Sequence, residues 1–456
     1  MSGLRILLKA AILKVLSDRE PRKARELVTL TRAELRRDDV DKHEVNSVLY
    51  HDLSNEVRCD ATFNWQIVDP SSVTATSVPG AKGALSRAET IRTIYRLRAG
   101  LPPCENLEQI TVGAGKMLEA VRDLLKPNPK NTWAIVRGDY GGGKTHALTL
   151  FGDMARREGY ATCHLSADGY ANALNHPQRF LPSLLATLEI PLRSTYGYTD
   201  LLYDVMSDAQ LADHLLSIVS SHLDGWTSVA AESRMCVARI VELLESNERN
   251  SDEWVANLRL VTGHLAGDSI RHLSAAPAYR RTAYNLLLIA RDLLLEVGIK
   301  GLAIAIDEVE SIYTKLPNAR SRQGAMRVLA SLCHFSQCRV ILALTPDAFR
   351  DITTDVALTF ADSYALSFED VPHWVDCVKN GATPTLDCRP LTRDQRSDLL
   401  QTVRKTYAEA FGSELVSDGF KQQWEKNLQL AADLQVPVRL IVRQAVDLMD
   451  TARYSK

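Results

Sequence analysis

Gly138-Asp139-Tyr140-Gly141-Gly142-Gly143-Lys144-Thr145 follows the strand-like run Thr132–Arg137 and opens a segment with helical spacing, and its reading decides the fold. A glycine-rich turn between strand and helix lets backbone N–H groups point inward at phosphate oxygens. The spacing G-x-x-x-x-G-K-T then supplies the Lys144 ammonium for β/γ-phosphates and the Thr145 hydroxyl for Mg²⁺. Residues 138–146 are the candidate nucleotide contacts. Within them, His146 reads as a helix-face residue touching the loop and not as a catalytic base. By contrast Gly113-Ala114-Gly115-Lys116 lacks both the spacing and the terminal hydroxyl, and reads as a turn.

The partner half of such a site needs carboxylates at the end of another buried strand. Leu302-Ala303-Ile304-Ala305-Ile306 is apolar at every position, as a central parallel strand covered on both faces should be. Asp307-Glu308 follows it at once. Asp307 is placed to hold Mg²⁺ through water, and Glu308 to polarise the water that attacks the γ-phosphate. Glu310 reads as structural. Arg339–Leu344 is a second such strand, and Thr345 at its end suits a hydrogen bond to the γ-phosphate or the lytic water; a turn-starting Thr before Pro346 is the alternative. Arg439, opening the last helix, and Arg443 one turn on are candidates to reach the nucleotide from a lid. Arg320, Arg322 and Arg350 are candidates for an arginine acting across a subunit boundary.

The first 70 residues read as three helices and a hairpin, with strands near 56–59 and 63–68. Asn46-x-x-Leu49-Tyr50 with a later Trp65-Gln66-Ile67 resembles winged helix-turn-helix domains. Residues 1–37 hold ten Lys/Arg against four Asp/Glu, and residues 38–70 hold two against eight. The presumed recognition helix therefore sits in the acidic half, which weakens direct base readout. Arg22, Lys23 and Arg25, with Asn46 and Tyr50, are the candidate DNA contacts, the basic ones suited to phosphates; protein docking is the alternative. Residues 71–85 are small and polar and read as a linker.

The net charge of -2 excludes a uniformly basic nucleic-acid coat. The eight cysteines show no C-x-x-C pair, so cytosolic thiols are expected. The N-terminal run Leu4–Leu16 carries Arg5, Lys9 and Lys14, which argues against a signal peptide, and no apolar run reaches the length of a membrane span. A cytoplasmic protein with no membrane partner is the expectation.

Taken together, the motifs resemble the BREX-system ATP-binding proteins of bacterial phage defence, in size the smaller, BrxD-like kind. The resemblance rests on Arg98-Ala99-Gly100-Leu101-Pro102, Ile110-Thr111-Val112-Gly113, Lys144-Thr145-His146, Ile306-Asp307-Glu308-Val309-Glu310, Ala343-Leu344-Thr345-Pro346 and Arg389-Pro390-Leu391-Thr392. Related ATPases occur in Shango systems beside a helicase and a TerB-like protein. The loop departs from many relatives at Asp139 and Gly142, where they carry Glu and Ser or Ala, changes that leave phosphate binding intact. The resemblance implies an α/β, AAA+-like (ASCE) P-loop ATPase, homo-oligomeric, using ATP and Mg²⁺ and acting on DNA with a partner helicase. That resemblance covers about residues 86–450; with the N-terminal reading, the expected parts are a winged helix-turn-helix domain (1–70), the linker, an ATPase core (86–388) with a helical insertion at about 169–297, and a C-terminal helical lid (389–456). Adenine over guanine rests on the resemblance and on the lack of an N/T-K-x-D motif after Leu344. A nucleotide-gated scaffold with slow hydrolysis that recruits a helicase is a second reading. A replication-initiator or clamp-loader-like ATPase is a third, although those usually carry the winged helix after the lid.

Overall fold

The computed structural model describes residues 87–454 apart from 104–106, 128, 168–173, 192–196, 224–227, 250, 271–276, 317, 360–370, 413–417 and 434–435. Before them it describes 11–16, 22–35, 40, 45, 57–59 and 64–67. The chain divides into two compact units, one drawn chiefly from Met1–Lys82 and one from Gly83–Pro191 and Thr195–Lys456.

In the first unit, β1 (Arg22–Lys23), β2 (Val57–Cys59) and β3 (Asn64–Ile67) form an antiparallel sheet in the order β1-β3-β2, and α1 (Ala24–Leu35) follows β1. Ile12, Leu16 and Leu27 are fully buried. The sequence predicts the β2–β3 hairpin but not β1, because a two-residue strand has no alternation to read. Arg22 lies opposite Trp65, and its Nη1 donates to the Val15 carbonyl at 2.7 Å. Part of that guanidinium is therefore engaged within the unit. The expected third helix, with Asn46 and Tyr50, lies outside the described residues except for Val45, as does the whole 71–85 segment. The side chains of Lys23 and Arg25 are likewise outside them.

The second unit is built on a five-stranded parallel sheet. Its strands are β4 (Trp133–Arg137), β5 (Ala161–Ser166), β6 (Leu302–Asp307), β7 (Cys338–Leu344) and β8 (Thr385–Asp387), in the order β5-β6-β7-β4-β8. β6 and β7, apolar apart from Asp307 and Arg339, are buried at every residue, as their composition predicts. Size alternates along β6. Leu302, Ile304 and Ile306 face one layer, whereas Ala303 and Ala305 face the other. The small side lets α5 (Lys144–Arg157), which follows α2 (Arg87–Arg98), α3 (Leu107–Ile110) and α4 (Gly115–Leu124) in the chain, lie against the sheet through Leu148 and Phe151, each worth about 1.5–3 kcal/mol when fully buried. That packing fixes where the glycine-rich loop ends. The edge strand β8 is absent from the sequence-based expectation: three residues ending in Asp387 carry too little apolar signal.

The large side of the sheet is covered by helices. Residues 177–296 supply α6 (Pro177–Leu185), α7 (Tyr198–Val205), α8 (Ala209–His222), α9 (Ser228–Glu245), α10 (Asp252–Leu265) and α11 (Pro277–Glu296), whose buried residues join one core with β5, β6 and β7. The C-terminal helices α12 (Arg393–Phe411), α13 (Asp418–Ala432) and α14 (Val438–Tyr454) form a separate cluster around Tyr407, Trp424 and Met449. The helix Arg87–Arg98 packs into that cluster through Ile94 and Leu97, and Arg98 pairs with Asp450 at 2.7 Å. In space this segment belongs with the C-terminal helices, although in sequence it precedes the sheet. No helix among the described residues is long and apolar enough to cross a membrane.

Candidate functional site

Parallel strands bring their carboxyl ends to one edge, and ligands of open α/β sheets bind there. Here that edge gathers the 138–143 loop after β4, Ser166 ending β5, Asp307-Glu308 at the end of β6, and Thr345 after β7. The loop is shaped by its neighbours. A Cβ on Gly138 would stand 2.8 Å from Cys388 Cβ, and Gly143 has φ +98°, a left-handed conformation that glycine adopts without penalty. Gly143 precedes the first turn of α5 without any side-chain cap, so the N-terminal amides of the helix are left to a ligand.

Lys144 and Thr145 point to opposite partners. Thr145 Oγ1 donates to Asp307 Oδ2 at 2.7 Å, spanning from the loop helix to β6. Asp307 Oδ1 accepts the Glu308 N–H at 2.9 Å. A hydroxyl and a carboxylate at this separation fit a Mg²⁺ that keeps several waters and takes few protein ligands. Lys144 is buried; its Nζ donates to the Gly138 carbonyl at 3.0 Å and the Asp139 carbonyl at 3.4 Å, and lies 3.7 Å from Glu310 Oε1. The ammonium also sits 4.9 Å from the centre of the Tyr140 ring, which is itself 76% exposed.

Glu308 is held in an unusual state. Its φ is +56°, a strained value for a residue with a side chain, and strain of this kind concentrates at functional positions. Ser166 Oγ donates to Glu308 Oε2 at 2.7 Å. The carboxylate is thus tethered to the end of β5. Sequence reasoning missed Ser166; its only signal is a hydroxyl at the end of a strand. Glu310, read from the sequence as structural, lies within the site, beside Lys144. It precedes the short helix Ser311–Lys315 without capping it, and turns to Lys144 instead. Burial pushes its carboxyl up from the usual range, and the Lys144 charge opposes that shift.

The remaining candidates are spread around this centre. Thr345 is buried and accepts the Ala348 N–H at 3.3 Å, capping the helix Pro346–Thr354; its hydroxyl proton is not used by that cap. His146 Nε2 lies 2.8 Å from Thr111 Oγ1, whose own proton goes to the Leu107 carbonyl at 2.7 Å. His146 therefore donates, and burial lowers its pKa to about 4, keeping it neutral. Segment 100–113 is met from the other side as well. A Cβ on Gly113 would fall 2.4 Å from Gln395 Nε2 at the start of α12, and one on Gly100 would fall 3.2 Å from Arg439 Nε at the start of α14. Arg439 is exposed and contacts this segment; Arg443 is exposed one turn on. Of the other arginines, Arg322 pairs with Asp355 at 3.2 Å and Arg350 with Asp347 at 2.9 Å, while Arg320 is exposed.

A family model described as BREX system ATP-binding protein BrxC/D matches residues 85–176 and 279–456. The chain belongs to that family. Both matched segments carry the site: the first holds the glycine-rich loop and Ser166, the second Asp307, Glu308, Glu310 and Thr345. Residues 177–278, which hold α6 to α10, fall between the two matched segments. The family description makes ATP the ligand. No curated protein and no solved structure matches the chain significantly.

Proposed function

We propose that this BrxC/D-family chain binds ATP with Mg²⁺ at the carboxyl edge of its sheet and hydrolyses it, as an AAA+-type ATPase completed by a neighbouring subunit. The Thr145–Asp307 hydrogen bond carries the reading, because it joins the loop helix to a strand that is not the loop strand's neighbour. One strand, β7, lies between β4 and β6, which is the additional-strand arrangement with a glutamate after the metal-binding aspartate. In this reading the loop amides and Lys144 hold the phosphates, and Thr145 and Asp307 hold the metal, which neutralises phosphate charge. Glu308 accepts a proton as water bonds to the γ-phosphorus and the bridging bond to ADP breaks. Thr345 orients the water or γ-phosphate, and Arg439 reaches the nucleotide from the 389–456 lid.

The first unit acts, in this proposal, as a winged helix-turn-helix domain joined by the 71–85 linker to the ATPase core. It tethers the protein to DNA, where a helicase and a TerB-like protein of the same defence system are the proposed partners. Reversing charge at Arg22, Lys23 and Arg25 together is expected to weaken duplex binding at 50 mM salt by about tenfold or more and to flatten its salt dependence. Unchanged affinity would assign the unit to protein docking.

A second reading, a nucleotide-gated scaffold with slow turnover, is favoured by Ser166, whose hydroxyl occupies one oxygen of the proposed base. ATP turnover of the full chain with and without duplex DNA separates the two. Stimulation by DNA supports the first; slow, unstimulated turnover with nucleotide-dependent helicase binding supports the second. In either case Ser166→Ala is expected to raise basal turnover about fivefold, the worth of one net hydrogen bond of about 1 kcal/mol. No rise would mean that the tether does not limit Glu308.

A further inference from the structure

We propose that Glu310 is a positioning residue that competes with nucleotide phosphates for Lys144, holding the ammonium in the empty site and speeding nucleotide release. The inference rests on the ATP-binding reading above and extends it to a residue outside the usual motif. Lys144 and Glu310 face each other at 3.7 Å with side chains only 8% and 7% exposed. Neither Glu310 oxygen is met by a hydrogen-bond donor from another described residue. Buried carboxylates are ordinarily satisfied, and an unsatisfied one marks a group waiting for a partner or paired only by charge.

Burial disfavours the Glu310 charge; its own backbone N–H and, beyond it, Lys144 are the groups that favour it. Asp307 and Glu308 lie on its side of the site and repel it, whereas Lys144 is the cation that favours its charged form. Its position before the helix Ser311–Lys315 offers a local use as a cap, which it does not take. The Lys144 side chain has its own alternatives in the Gly138 and Asp139 carbonyls, so the ammonium is anchored and its position is shared between loop and carboxylate. When phosphates enter over the loop, the ammonium turns to them, and Glu310 is left buried beside two like charges. That cost opposes binding. When the nucleotide leaves, re-formation of the pair stabilises the empty site, so the same contact that weakens affinity hastens departure.

The test is the affinity and dissociation rate of ADP, measured without Mg²⁺ by titration and by chase of a fluorescent ADP analogue, for the full chain and two variants. Glu310→Gln removes the charge at constant volume; Glu310→Asp keeps the charge and draws it back by one methylene. The clamp predicts that Glu310→Gln binds ADP about tenfold tighter, mainly through slower dissociation, as expected for losing one part-buried charge contact. Glu310→Asp should tighten binding too, by less. A damaged fold would weaken binding and cannot imitate this. Tightening in Glu310→Gln with wild-type behaviour in Glu310→Asp would mean a general field effect and would overturn the clamp. Wild-type affinity or weaker in both variants overturns it as well. A wild-type chain that binds neither ADP nor ATP would instead refute the reading of the site, and the clamp with it.

Discussion

Replacing Glu308 by Gln is expected to lower ATP turnover by about 10²–10³-fold while leaving ATP affinity within a factor of a few, the loss typical of removing a general base. The geometry separates the two effects. The Glu308 carboxylate, just past β6, is hydrogen-bonded to Ser166, whereas Lys144 is held by the Gly138 carbonyl of the loop, a bond the substitution does not remove. Glutamine keeps the length, can still accept from Ser166, and carries no charge with which to take a proton. The strained backbone of residue 308 is unchanged, so the fold should be retained. Single-turnover and steady-state phosphate release, together with equilibrium ATP binding, read both quantities. Turnover equal to wild type would remove Glu308 from the chemistry and point to another carboxylate at that edge.

Such a variant is designable from sequence because the residues in question sit where local rules are strongest. Leu302–Ile306 and Val340–Leu344 are apolar throughout, which is why their burial is legible from composition, and the carboxyl ends of such strands are where open α/β sheets place their ligands. The glycine spacing is equally local. What sequence reading did not yield are contacts made between distant segments. Ser166 to Glu308 spans 142 residues, and nothing in Ser166's own neighbourhood distinguishes it from any strand-ending serine. The approach of Gln395 to Gly113 and of Arg439 to Gly100 depends on how the C-terminal helices return to the segment before the sheet. The helix Arg87–Arg98 shows the same limit: its apolar face is readable, but its partners, Leu400, Val403 and Tyr407, lie some 300 positions on. The Glu310–Lys144 contact was likewise not legible, because the two residues lie on different elements, and no local pattern brings them together.

The other large effect is expected at Lys144, where two consequences must be told apart. Lys144→Ala should weaken ATP binding by about 10²-fold or more, since truncating a buried charged contact commonly costs about 2–5 kcal/mol. Protection against phage should be lost with it. The same substitution also strips Glu310 of its counter-charge, and a buried carboxylate left unpaired destabilises a fold by about 3–5 kcal/mol, less whatever protonation recovers. A lower melting temperature alone would therefore mimic a loss of function. Adding Glu310→Gln to Lys144→Ala removes the orphaned charge and should restore most of the lost stability, yet it gives the phosphates no cation. The double variant is thus expected to melt near wild type and still fail to bind ATP. If stability and binding return together, Lys144 acts on the fold and not on the nucleotide; if stability stays low, Glu310 is not paired with Lys144 in the folded chain.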